Sequence, residues 1–398
     1  MRVYRRLEAT VKEKEEPDGR AGGIGRAARL LVAALAVALS AAGCAARTAP
    51  VTHQELFSLS VGPLEDQVHI SPGYEQAGLW LSLHGGLFHV VNAPVRKVMR
   101  FSSFGDLLLL LYDPRMNPMP VGLAEAGTDT VTTRLARSLP LGPLGRVAVD
   151  SQGTIYVQER LASGDWQTED GITRSHVVRR FDRTGADLGY LGREGVGGSP
   201  FGRMHRLLVT ERDEPFVVTR DADSWQAFWF DSQGMLRFRR RLSVRDLSSV
   251  DDVPPTVEIE SVLADGRGPP HLLLETVTLP GGQADIWRVA GDEDPERAFA
   301  APHAPHAPFR LVGSAGGRLF FASHGGGESL SAGGRRVPLT ITDGEGRPLA
   351  QVELSLQDPA LQFSELQVAT DGVLYGARIG PERVDFFWWR TDLLMQRR

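Results

Sequence analysis

The chain has 398 residues, a net charge of −5 and a single cysteine, and 42% of its residues are apolar. The mixture of both charge signs excludes the strongly basic surface that nucleic-acid binding requires, so we expect no nucleic-acid partner. One cysteine excludes an internal disulfide, so the fold must be stabilised by its core alone.

The N-terminal region has the pattern of an export signal. Basic residues precede an apolar run over 30–43 that only Ser40 interrupts. About 14 residues at roughly 1.5 Å each are too short to cross a hydrocarbon core near 30 Å. The pattern therefore predicts a signal peptide over 1–43. The acidic residues before Arg20 are unusual in such a signal, so a translation start downstream of Met1 is an alternative.

Cys44 follows the small residues Ala41, Ala42 and Gly43, and this sequence resembles the lipobox of bacterial lipoproteins. The resemblance implies that Cys44 is lipidated, becomes the first mature residue and is acylated at its amine. Several acyl chains on one residue anchor a protein stably to a membrane. We therefore expect a lipidated tether over 44–54 and a location in the cell envelope, on the periplasmic face or the cell surface. An ordinary secretory signal with an incidental Cys44 is the alternative.

Residues 55–398 have an all-β pattern in which short apolar runs are separated by Gly, Asp and Pro. The clearest unit covers 147–191, where four predicted strands are joined by turns such as Ser151-Gln-Gly153 and Asp182-Arg-Thr-Gly185. Asp bonds its own backbone in such turns, and Gly supplies a positive φ. Four antiparallel strands with tight turns are typical of one β-propeller blade.

This unit recurs along the chain. The predicted first turns of the repeats fall near Gly86, Gly153, Glu214, Gly268, Gly317 and Gly372. They are separated by 67, 61, 54, 49 and 55 residues. Blades need about 40–50 residues each, with the excess in loops, so the spacing predicts six blades. A seventh would have to lie within 112–146.

The last repeat shows only three strands, over 361–369, 373–377 and 384–390. The alternating segment Glu55–Val61 follows the tether and has no blade of its own. We expect it to pair as the outer strand of the last blade, which would remove an unpaired edge and close the ring.

Two stretches carry family resemblances. Val177–Gly185, Gly192-Arg-Glu-Gly195 and Ser199-Pro-Phe201 resemble an NHL repeat. Lys97–Leu108 and Tyr112-Asp-Pro114 resemble a family of uncharacterised spirochaetal propeller lipoproteins. The resemblances imply an NHL- or TolB-like six-bladed propeller and an envelope location. They imply no activity.

Two inter-strand segments are candidate ligand or partner loops, because long segments between blades are often functional. The first follows the first predicted blade and carries Asp113, Arg115 and Asn117 among methionines and prolines. The second is an insertion over 159–175 that carries Trp166. Either could project from a face of the propeller.

Searches for catalytic motifs find no nucleophile elbow, zinc-protease helix or phosphate loop. His303 and His306 are too few for a metal site by themselves, so we expect no cofactor and no metal. The expected function is a membrane-anchored binding or scaffolding module with an envelope-protein partner. The alternative is a small-ligand binder or an enzyme of hydrolase or lyase type, which would gather histidines and carboxylates at one end of the central channel.

Overall fold

The computed structural model describes residues 51–125, 134–169, 171–191, 200–222, 224–247, 257–279, 282–304, 307–323, 335–356, 362–363 and 366–396. The predicted signal peptide and Cys44 lie outside the described residues.

The described chain forms six sheets of four to six strands, which are the blades of a β-propeller, and one separate two-stranded sheet. The strands of blade 1 are Leu79–His84, Leu87–Asn92, Lys97–Phe101 and Leu107–Tyr112. Those of blade 2 are Leu144–Val149, Ile155–Arg160, His176–Phe181 and Asp187–Tyr190. Those of blade 3 are Met204–Val209, Pro215–Arg220, Trp225–Phe230 and Leu236–Leu242. Those of blades 4 and 5 are Val257–Ala264, His271–Thr278, Gln283–Ala290 and Glu296–Ala300, and Ala307–Ala315, Arg318–Ser323, Arg335–Asp343 and Pro348–Leu356. Blade 6 contains Gln362–Phe363, Gln367–Val368, Leu374–Ile379, Arg383–Trp389 and Gln54–Ser60.

The core is divided into six apolar clusters, each of which lies between one blade and the next. Val91 of blade 1, for example, packs with Ile155 of blade 2, and Phe320 of blade 5 packs with Trp389 of blade 6. Another cluster joins Phe386 of blade 6 to Phe88 of blade 1. Both faces of each blade are therefore buried, as the doubly apolar strands predict, and the six blades form a ring.

The turns have the chemistry that the sequence predicts. Asp182 Oδ1 accepts the N–H groups of Thr184 and Ala186, both at 2.8 Å, and Gly185 has φ +82°. Other aspartates use one carboxylate oxygen in the same way at three further turns, namely Asp150, Asp231 and Asp343. This repeated bond fixes where each pair of strands ends.

Blade 6 takes its outer strand from the beginning of the described chain. Gln54–Ser60 pairs antiparallel with Arg383–Trp389, and Phe57 stacks on Phe386 with ring centroids 4.7 Å apart. Val51–Thr52 pairs in parallel with blade 5, so residues 51–52 and 54, which the sequence assigns to the tether, already belong to sheets.

The segment 112–146 adds to blade 1 instead of forming a seventh blade. Leu135–Ser138 pairs in parallel with the outer strand of blade 1, and Ala124–Glu125 pairs beyond it. The short helices are Val244–Leu247, Asp392–Gln396 and the 3₁₀ turns Glu75–Gly78, Ala93–Val95 and Ser163–Asp165. Two short strand pairings are also present. Gln167–Glu169 pairs with Ile172–Arg174 over three residues, and His303–Ala304 pairs with the first strand of blade 5 over two. Within the described ranges, no helix has the length and apolarity needed to cross a bilayer.

Strand direction defines two faces of the ring. Successive strands of a blade are antiparallel, so first strands begin where second strands end. We call this side the mouth face, and the side that carries the turns between first and second strands the turn face. Both candidate loops, after Tyr112 and after Arg160, leave the propeller at the mouth face.

Candidate functional site

The central channel holds a cavity of about 390 Å³ lined by all six blades. Each blade contributes at least one aliphatic residue near the start of the blade to the cavity wall, for example Leu83, Val147, Leu208, Leu263, Val312 and Val368. This cavity extends towards the turn face, where its polar residues are concentrated.

The carboxylates that line the channel cavity already have partners. Glu214 Oε2 accepts the indole N–H of Trp229 at 3.1 Å. Asp265 forms an ion pair with Arg267 at 2.8 Å, and Glu211 accepts the N–H of Gly316 from across the channel. These bonds hold turns and blades in position.

The alternative expectation places histidines and carboxylates together at one end of the channel. Among the described residues, no three His, Cys, Asp or Glu side chains come together in a geometry that could hold a metal ion. His84 is the one histidine that lines the channel cavity in this part of the chain.

A second cavity, of about 330 Å³, opens at the mouth face between blades 1, 2 and 3. We call it the mouth cavity. Its charged lining consists of Arg146, Arg160, Arg203 and Glu75, and Trp80 forms part of its wall. Arg146 and Trp80 also line the channel cavity, so this pair separates the two spaces.

The fold explains why these residues meet although they are far apart in sequence. Arg160 ends the second strand of blade 2, while Arg203 directly precedes the first strand of blade 3. Both positions lie at the mouth face. Arg220 ends the second strand of blade 3, and its N–H donates to the Arg203 carbonyl at 3.0 Å.

Three arginines at the mouth face stack on tryptophans. The guanidinium carbon of Arg146 lies 4.4 Å from the ring centre of Trp80. The corresponding distances are 4.9 Å for Arg160 on Trp166 and 5.0 Å for Arg220 on Trp225. Stacking fixes the plane of each guanidinium through the ring quadrupole and leaves its N–H edge available for hydrogen bonds.

The arginines also act on two histidines. Burial and then Arg206, Arg146, Arg220 and Arg203 lower the pKa of His205 to about 3. Burial and then the positive charge of Arg160 lower the pKa of His176, with a smaller contribution from Arg203. Both shifts have the sign expected for a region of positive potential.

Three of the predicted site residues form a network at the start of the loop after blade 1. Asp113 is fully buried and forms ion pairs with Arg96 at 3.0 Å and Arg115 at 2.8 Å. The hydrogen bond from Arg115 is the main cause that lowers the pKa of Asp113 to about 2. Asn117 donates to the carbonyls of Val95 at 2.7 Å and Asp113 at 2.9 Å. These side chains shape the loop and line neither cavity.

Trp166, the fourth predicted residue, lies beside the mouth cavity through its stack on Arg160. Its indole N–H donates to the Leu161 carbonyl at 3.0 Å, which orients the ring. The arginines themselves were not predicted from the sequence. A signal was available, since an arginine at the end of a second strand precedes a tryptophan closely in two successive blades, as Arg160–Trp166 and Arg220–Trp225.

These features define the class: the chain is a six-bladed β-propeller with a channel cavity and an arginine-rich mouth. No family model matches the chain, and no curated protein matches it.

Similar solved structures include propellers of different names. A streptogramin B lyase is 9% identical with a TM-score of 0.37, over 83% of this chain and 97% of that one. A putative TolB from Agrobacterium tumefaciens is 12% identical with a TM-score of 0.37, over 78% and 89%. A putative gluconolactonase is 10% identical with a TM-score of 0.39, over 85% and 92%. At these levels the similarity concerns the fold alone.

Proposed function

We propose that the protein is a lipid-anchored envelope protein whose propeller is a non-catalytic binding module that docks another envelope protein through its mouth face. The observation that carries the docking proposal is a set of four exposed apolar side chains on two loops that a hydrogen bond joins, which we call the apolar patch. It consists of Leu64, Met116, Met119 and Val121. Met119 is 83% and Val121 92% exposed. Grouped exposed apolar side chains are typical of protein interaction sites.

The two loops are held together, so the patch exists before any partner arrives. Glu65 Oε1 accepts the Gly122 N–H at 3.2 Å and joins the first loop to the second. The buried amine of Lys97 donates to the Leu64 carbonyl at 2.6 Å. A preorganised surface avoids the entropy cost of ordering loops on binding.

The anchor is supported by the lipobox-like sequence ending at Cys44. Acyl chains at this residue would hold the propeller at a membrane, where partners in the same membrane are concentrated. Only residues 45–50 lie between Cys44 and Val51 in the sequence, so acyl chains at Cys44 would keep the propeller close to the bilayer.

The proposal is tested by purifying the full-length protein with its partners from its native membranes. The double variant Met119→Ser, Val121→Ser should lose a partner that the wild type retains through mild detergent. The matched control is Phe104→Ser, because Phe104 is 86% exposed on the turn face, and it should retain that partner. Cys44→Ala should move the protein to the soluble fraction.

Equal recovery of partners by the patch variant and the control would contradict docking through the mouth face. Unchanged membrane association of Cys44→Ala would contradict the anchor. The two results are independent, so either part of the proposal can fail alone.

A further inference from the structure

The mouth cavity has an excess of positive charge. Among the described residues, three arginines line it, against the single carboxylate of Glu75, which lies 3.6 Å from Arg146. Arg160 and Arg203 are exposed, and none of the described carboxylates forms an ion pair with either. Like charges brought close together repel each other, and an anion would relieve that repulsion.

The arginines are also oriented for binding. Arg146 and Arg160 are each stacked on an indole, which limits the rotation of the guanidinium group. A guanidinium held in this way loses little entropy when its N–H edge meets a carboxylate or phosphate. Such edges favour bidentate hydrogen bonds to planar or tetrahedral oxyanions.

The size and walls of the cavity indicate what kind of anion fits. Its volume of about 330 Å³ lies at the lower end of the range for small-molecule pockets. Tyr74 and Trp80 supply aromatic surface beside the arginines, and Gln158 supplies an amide. Aromatic surface with a few polar groups suits the ring of a sugar.

We propose that the mouth cavity is a binding site for a small, multiply charged oxyanion, of the class of phosphorylated or carboxylated sugars. Arg160 and Arg203 hold its anionic groups, and Arg146 binds at the inner end, beside the channel. This site goes beyond the proposed partner docking, because its lining shares no residue with the apolar patch.

Titration calorimetry on the full-length protein tests the site, with tryptophan fluorescence as a second readout from the stacked indoles. Inorganic pyrophosphate and digalacturonate are the two probes, because they present paired phosphates and paired carboxylates. Saturable one-to-one binding of either is expected, and the tighter probe identifies the oxyanion. Arg160→Gln and Arg203→Gln should each weaken that binding on the order of tenfold, the loss expected for one charge-assisted hydrogen bond.

Arg183→Gln is the matched control. Arg183 is exposed on the turn face, and its substitution removes the same positive charge. It should leave the affinity within about twofold. Absence of saturable binding of both probes overturns the proposal, and so does equal weakening by Arg183→Gln and Arg203→Gln. Melting temperatures of the three variants verify that each is folded. Partner recovery from membranes is a separate measurement, so the anion site and the docking proposal fail separately.

Discussion

At the scale of single residues, Asp113 was predicted to belong to a ligand or partner loop, but its buried carboxylate stabilises the fold. Asp113 attracts attention in the sequence because it opens a long loop. In the structure its carboxylate is enclosed by two arginines, which offset the cost of burial. Sequence could not predict this, because Arg96 comes from the preceding hairpin and is brought near by the folded blade.

Glu275 allows a test of the pH dependence of stability. Its carboxyl lies between blades 4 and 5 and accepts the Leu311 N–H at 2.9 Å. Burial is the main cause that raises its pKa from 4.5 to about 7. A raised pKa favours the neutral acid in the folded state, so the stability due to Glu275 is lost as the pH rises from 4.5 through 7.

Glu275→Gln keeps an acceptor oxygen and removes the charge. At pH 8 this variant should exceed the wild type in free energy of unfolding by on the order of 2–3 kcal/mol, and the gain should vanish near pH 4. Urea unfolding at pH 4, 6 and 8 measures the difference. Glu296→Gln, on the exposed outer strand of the same blade, is the control. A gain that does not change with pH would show that Glu275 is not neutral when buried.

At the scale of elements, the repeated turns made most of the fold predictable. Each turn depends on bonds within about five residues, such as those of Asp182, so its signal is local and visible in sequence. The parallel strand Leu135–Ser138 was not predictable in the same way. Its partner is set by blade 1 and by the path of the chain, and its four residues carry no turn signal of their own.

The strand Gln54–Ser60 offers a direct test of how blade 6 is stabilised. Phe57 is buried against Phe88 and Phe386, which belong to blades 1 and 6. Phe57→Ala should lower the free energy of unfolding by about 3–5 kcal/mol, the usual cost of removing a buried aromatic side chain. Ser60→Ala, an exposed position on the same strand, should change it by less than about 0.5 kcal/mol. Chemical denaturation measures both, and similar small effects would mean that the strand does not contribute to the core.

At the scale of the whole molecule, arginines connect successive blades beyond the apolar clusters. Arg100 donates to the Arg183 carbonyl at 2.8 Å and Arg180 to the Gln233 carbonyl at 3.1 Å. Arg288 donates to the Gly344 carbonyl. Each joins the third strand of one blade to the last turn of the next. Gly234 permits this approach, because a Cβ there would lie 2.7 Å from Arg180 Nη1.

Arg180→Met removes one connection and retains most of the aliphatic side chain. We expect a loss of about 1–2 kcal/mol in the free energy of unfolding, with a single transition for the whole ring. Arg237→Gln, whose ion pair with Asp231 at 3.9 Å is exposed, should have almost no effect. Fluorescence and circular dichroism followed in parallel would detect blades that unfold separately, which would contradict a ring that unfolds as one unit.

The mouth cavity was predictable from the sequence only in part. Its arginines come from blades 2 and 3, and their proximity depends on the ring as a whole. The sequence indicated Trp166 only as a residue of an insertion that was a candidate ligand or partner loop. The structure adds the stacked Arg160 and the neighbouring Arg203, which give that aromatic residue a charged context.

The pairing of Gln54–Ser60 with Arg383–Trp389 also determines when blade 6 can form during synthesis of the chain. The hydrogen bond between Trp388 and Gln54 joins residues 334 positions apart, so Gln54–Ser60 stays unpaired while five blades are synthesised. During that interval Phe57 and Leu59 have no late partner to cover them. Blade 6 can therefore form only after Arg383–Trp389 has left the ribosome. Until then the nascent chain exposes an unpaired strand with apolar side chains, which is prone to aggregation.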